Sequence, residues 1–65
     1  MKVRYFAQTD TLFIELSAAA AAETRELDED TLLELDAGGQ VCAITVEHAS
    51  RRADAPHFTY QQIPA

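Results

Sequence analysis

The residues able to do chemistry are few and scattered. The chain carries one cysteine, Cys42, two histidines, His48 and His57, and two serines, Ser17 and Ser50. A metal site needs converging His, Cys or carboxylate ligands. Cys42 and His48 fall on one extended stretch, six positions apart, which at ~3.3 Å per residue separates them by about 20 Å. They cannot share an ion within one strand. The acidic run Asp28-Glu29-Asp30 lacks the ligand spacing and central glycine of a calcium loop. Neither serine has the glycine flanks of a nucleophile elbow. Glu34 and Asp36 share a strand face without aromatic or apolar cover, so they read as a solvent face rather than an acid–base pair. Gly38-Gly39 precedes a strand rather than a helix, which excludes a phosphate cradle. No residue is assigned a catalytic, cofactor-binding or metal role, no cofactor is expected, and the chain is not expected to be an enzyme.

The elements that carry these residues are short. Val3 and Tyr5 alternate with Lys2 and Arg4, and Leu12, Ile14 and Leu16 alternate with Thr11, Phe13 and Glu15. That period of two describes half-buried strands. Ala7-Gln8-Thr9-Asp10 joins them as a hairpin loop, where an aspartate bonds its own backbone. A second hairpin follows: Leu33 and Leu35 on one face, the turn Ala37-Gly38-Gly39-Gln40, then Val41 to His48 with Cys42, Ile44 and Val46 on one face. No internal repeat is read beyond the two hairpins, whose sequences do not match.

The middle allows two readings. Ser17 and the five alanines that follow have high helix propensity. Beyond them, however, only Leu27 is a large apolar residue before Leu32, so a helix there has nothing with which to dock. The stretch is therefore read as a connection with at most one helical turn, leading to a short strand near Thr24–Leu27 and a turn at Asp28-Glu29-Asp30. The expected fold is mainly β, a small antiparallel meander of four to five strands. The alternative is α+β, a ββαββ arrangement that uses the alanine run. Residues 1–52 form a single domain, and residues 53–65 form a tail that carries Phe58 and Tyr60 as an edge strand or a segment exchanged in a dimer.

Charge narrows the partners. The 65 residues hold 11 acids against 5 bases, a net charge of -6. Seven acids and one base lie within residues 23–36, so that segment alone accounts for the excess. Nucleic acid and anionic membranes, which need clustered Lys and Arg, are not expected partners. A basic protein is a partner that the acidic segment could attract. No apolar run approaches the ~20 residues that cross a bilayer. The start, MKVRYF, has no signal-like apolar stretch. A lone thiol suits a reducing compartment, and the cytoplasm is the expected location.

The order of these pieces resembles a small bacterial family, domain of unknown function 2283. The resemblance rests on Tyr5, on Asp10-Thr11-Leu12-Phe13-Ile14-Glu15-Leu16, and on the Glu-rich residues 23–27. It continues through Leu32 to Asp36, Gly38-Gly39, and Val41 to His48 followed by Ala49-Ser50-Arg51. Phe6 stands where the family often has an acid, and Ala43-Ile44-Thr45 where Gly-Ile-Glu is common. The resemblance implies a fold and supplies no chemistry. The functional expectation is a non-enzymatic interaction or assembly module, and a homodimer, because one small sheet cannot cover its own apolar face. The alternatives are an antitoxin-like partner of a basic protein, or a ligand-binding or enzymatic site formed only between subunits.

Overall fold

A computed structural model describes residues 1–64; Ala65, the last residue of the expected tail, lies outside the described residues. Five strands form one antiparallel sheet: β1 (Lys2–Phe6), β2 (Thr11–Glu15), β3 (Glu23–Asp28), β4 (Thr31–Leu35) and β5 (Val41–Val46). A single 3-10 turn, Ala49–Arg51, follows β5. The mainly β, antiparallel reading holds.

The strand order is β1-β2-β5-β4-β3, so this is not a simple meander. The last strand sits in the middle, flanked by β2 on one side and β4 on the other. The first hairpin thus docks on β5 rather than on β3. β3 becomes the far edge, and all six of its residues are exposed.

This order also explains why the alanine run is not helical. The chain must travel from the end of β2 past β5 and β4 to reach β3, about 14 Å across three inter-strand spacings. Five helical residues would advance only about 7.5 Å. Residues 16–22 instead run without regular structure, tied by Leu16 N–H to Cys42 O at 2.8 Å and by Ala22 N–H to Leu35 O at 2.8 Å. The ββαββ alternative is not adopted.

The register sorts the faces. Val3, Ile14, Ile44 and Leu33 form one row across four strands, and Tyr5, Leu12, Val46 and Thr31 form the next. These rows lie on one face because directly paired residues point the same way. They are the apolar face expected from alternation. The opposite face carries Lys2, Arg4, Glu15, Glu34 and Glu26, with Phe13 and Leu32 among them.

Pairing shifts between Glu34 and Leu35: Glu34 faces Ala43 and Leu35 faces Val41, which leaves Cys42 as the extra residue of a bulge. Cys42 is buried, as expected, and its thiol donates to the Glu34 carbonyl at 3.3 Å. The other buried apolar residues are Leu35, Ala43 and Ala49, so the enclosed side chains are mostly small. No large side chain is fully buried.

Within the chain, the tail (residues 53–64) forms no strand. It has no sheet pairing; Pro56 and Phe58 cross the β1–β2 end of the apolar face, over Val3, Tyr5 and Leu12. Prolines at 56 and 64 remove two backbone donors that a ladder would need. Among the described residues, no helix is long and apolar enough to cross a membrane.

Candidate functional site

The polar groups of the chain converge at the point where β5 ends. Two hairpin turns lie on either side of that point, and each contributes an aspartate as the residue before a strand: Asp10 before β2 and Asp30 before β4. Asp10 has φ 54°, a left-handed conformation that Asp adopts more readily than most residues. Its carbonyl accepts the Ala49 N–H at 2.9 Å, while the Asp30 carbonyl accepts the Glu47 N–H at 2.7 Å. Residues 47–50 are therefore strung between two aspartates from opposite sides of the sheet.

The side chains repeat the pattern. The Asp10 carboxylate accepts the Tyr5 hydroxyl at 2.6 Å, the Ser50 N–H at 3.1 Å and the Ser50 hydroxyl at 2.7 Å. Asp30 pairs through Oδ1 with His48 Nδ1 at 2.9 Å. His48 also has a left-handed backbone, φ 53°, which turns the chain out of β5 into the 3-10 turn. Beyond the turn, Arg52 reaches back to Asp28 at 3.3 Å and donates to the Thr31 hydroxyl at 2.5 Å. Thr31 is buried, so this bond satisfies a hydroxyl that water does not reach.

Electrostatics follow from these bonds. The Tyr5 hydroxyl, then the Ser50 hydroxyl, hold the Asp10 carboxyl below its ordinary value because both stabilise the anion. The same bond to Asp10 raises the Tyr5 phenol, since losing its proton would set an anion beside an anion. Asp28 is lowered first by the Asp30 N–H and then by Thr31.

The Asp10–Ser50 bonds tie the turn after β5 to the first hairpin. Ser50 donates to Asp10, whose lowered pKa makes it a weak base, and His48 bonds to Asp30 rather than to Ser50. The serine–histidine bond of a catalytic triad is absent among the described residues. The described residues hold no group of three or more His, Cys, Asp or Glu able to take a metal ion. Cys42 lies in the core and His48 at the corner, in keeping with their separation along the strand. Gly38-Gly39 is a turn: Asp36 Oδ1 accepts the N–H groups of Gly38 at 2.9 Å and Gln40 at 3.0 Å. The groove beside Tyr5, about 250 Å³, is lined mainly by Val3, Leu12, Pro56 and Phe58.

The corner was only half visible in the chain. Asp10 reads as a turn former, and nothing in its neighbourhood names Ser50 as its partner. The available signal is the triplet Asp-Thr-Leu, which opens both β2 and β4 at Asp10-Thr11-Leu12 and Asp30-Thr31-Leu32. The two hairpins do share a short motif, and its aspartates occupy corresponding places. Tyr5, Asp10 and Ala49-Ser50, which stand at the two ends of the family resemblance, are the residues that meet here.

No curated protein and no solved structure shows significant similarity to the chain. The family model described as a protein of unknown function (DUF2283) matches residues 2–50, which takes in all five strands and the corner that closes them. The chain belongs to this family.

Proposed function

We propose that this chain is a non-enzymatic assembly module that works through protein surfaces, and that its partner is a second copy of itself. The observation that supports this most is excess surface. A compact monomer of 7.2 kDa exposes about 4,100 Å², whereas this chain exposes 5064 Å². Its radius of gyration is 12.8 Å, against about 10.7 Å for a compact chain of this length. The surplus of about 900 Å² is close to the ~800 Å² that each partner contributes to a specific interface. One sheet in which Leu35 is the largest buried side chain, and with Ile14, Leu33, Ile44 and Val46 only half-buried on one face, lacks its second layer. A second copy supplies one, because its own face is equally apolar. Two-fold pairing is the commonest closed form.

Sedimentation equilibrium at micromolar concentration tests this directly. A mass of two chains is expected, with a Tm that rises with concentration. The mass of one chain, with unfolding independent of concentration, overturns the proposal.

A second reading, docking of a basic protein, draws on β3. Glu23, Glu26 and Asp28 lie on an exposed edge strand, followed by Glu29 in the turn. Binding of such a partner must weaken steeply with salt, because exposed charges are screened beyond ~10 Å at 0.1 M. Affinity unchanged between low and high salt rules it out.

A further inference from the structure

We infer that the tail is part of the surface a second copy covers, with Tyr60 and Ile63 among the contacting side chains. This rests on the assembly reading above and deepens it.

The argument starts from area. Five strands about 4.8 Å apart and about 17 Å long offer a face of roughly 400 Å². Part of that face is already under Pro56 and Phe58. The surplus surface of the chain is not confined to the open part of the sheet, because residues 56–64 of the tail are exposed as well. The remaining apolar surface on the same side belongs to the tail, which lies against Val3, Tyr5 and Leu12. Its large side chains point largely to solvent: Phe58 is 60 % exposed, Tyr60 72 % and Ile63 77 %.

The tail is also held loosely. Among the described residues beyond 53, the one main-chain hydrogen bond is His57 N–H to Asp54 O at 2.7 Å, which lies within the tail itself. The tail shares one groove with Val3, Tyr5 and Leu12, and a second groove stays open between Met1, Val3, Phe58 and Tyr60. Aromatic side chains on a weakly held segment gain most when a partner desolvates them. Val3 lines both grooves, so Phe58 and Tyr60 continue the apolar face at its β1 edge. A second copy resting on β5 and β4 meets the tail at its flank.

The test compares the full chain with the double variant Tyr60→Ser/Ile63→Ser by sedimentation equilibrium. Phe6→Ser serves as the control. Phe6 is exposed, but by strand alternation it lies on the face opposite Val3 and Tyr5. The double variant is expected to raise the dimer dissociation constant at least tenfold, with unfolding of the dilute monomer unchanged, and the control is expected to leave the constant alone. A dimeric parent and an equally tight double variant overturn the role of the tail while the assembly reading stands. A control that weakens as much as the double variant places the interface on the wrong face and also overturns the inference. A parent of single-chain mass overturns both.

Discussion

Asp10 holds Ser50 across forty residues of sequence: its carboxylate takes both the backbone N–H and the hydroxyl of Ser50, while its own carbonyl takes the neighbouring Ala49 N–H. One residue in the first hairpin thereby fixes where β5 stops. The same residue orients Tyr5 on the edge strand. The edge strand β1 and the turn that leaves the central strand β5 are coupled at one carboxylate.

Asp10→Asn tests the charge while keeping a residue that tolerates the left-handed backbone. The carboxyl is lowered in the folded chain, so its contribution is present above the unfolded value of about 3.9 and is lost as pH falls through the folded pKa. The Tm of the variant should lie several degrees below that of the parent at neutral pH, and the gap should close on acidification. A gap that stays constant from neutral pH down to pH 3 contradicts this. Asp28 is lowered as well, so some acid sensitivity should survive in the variant.

Tyr5 provides a reading of the same bond from its other end. Its phenol is raised above 10.0, first by the hydrogen bond to Asp10. The contribution of this group is complete below the unfolded value and fades as pH rises through the folded one. In a Tyr60→Phe background, ultraviolet titration should show a single tyrosine ionising above 10. Adding Asp10→Asn should bring that midpoint down, and an unmoved midpoint would show that Asp10 does not govern it.

Gly38 and Gly39 should differ sharply. Gly39 has φ 82°, and a methyl group added there would meet open space, so strain comes from the backbone alone. Gly39→Ala should cost about 1–2 kcal/mol. At Gly38 an added Cβ meets Asp36 Oδ1 at 3.4 Å, an ordinary contact, so Gly38→Ala should cost less. Urea unfolding of the two variants checks the order.

Leu35 should be the most sensitive apolar position. It is 5 % exposed and is the largest of the buried residues. Leu→Ala changes at such sites cost about 2–5 kcal/mol, against a total of roughly 3–10 kcal/mol for a chain of this size. Leu35→Ala should leave much of the protein unfolded at room temperature by circular dichroism. Cys42, enclosed beside it, should react with thiol reagents far more slowly in the folded parent than in urea.

The strands were legible because alternation is local: Val3 with Tyr5, Leu12 with Ile14, and Ile44 with Val46 each report a face within a few residues. Their neighbours were not, because pairing between β2 and β5 joins residues about thirty positions apart, as Ile14 and Ile44 do. The alanine run was legible as a connection, and it is one. Its helix propensity is real, but a span across three strands outweighs a preference worth a few tenths of a kcal/mol per residue. At the corner, Asp10 was visible as a turn residue, yet its bond to Ser50 depends on where β5 lands. The tail showed strand-like alternation at Phe58 and Tyr60, but no strand edge accepts it.

The central position of β5 has a consequence for synthesis. Ribosomes deliver this chain from Met1 onward, and the strand that joins the two hairpins is the last to emerge. Until residues 41–46 are free, the nascent chain has at most two separate hairpins, and a two-stranded hairpin is barely stable in water. Its apolar residues must wait unpaired for most of translation. Completion of the sheet waits for β5, and the Asp10–Ser50 contact closes only after it.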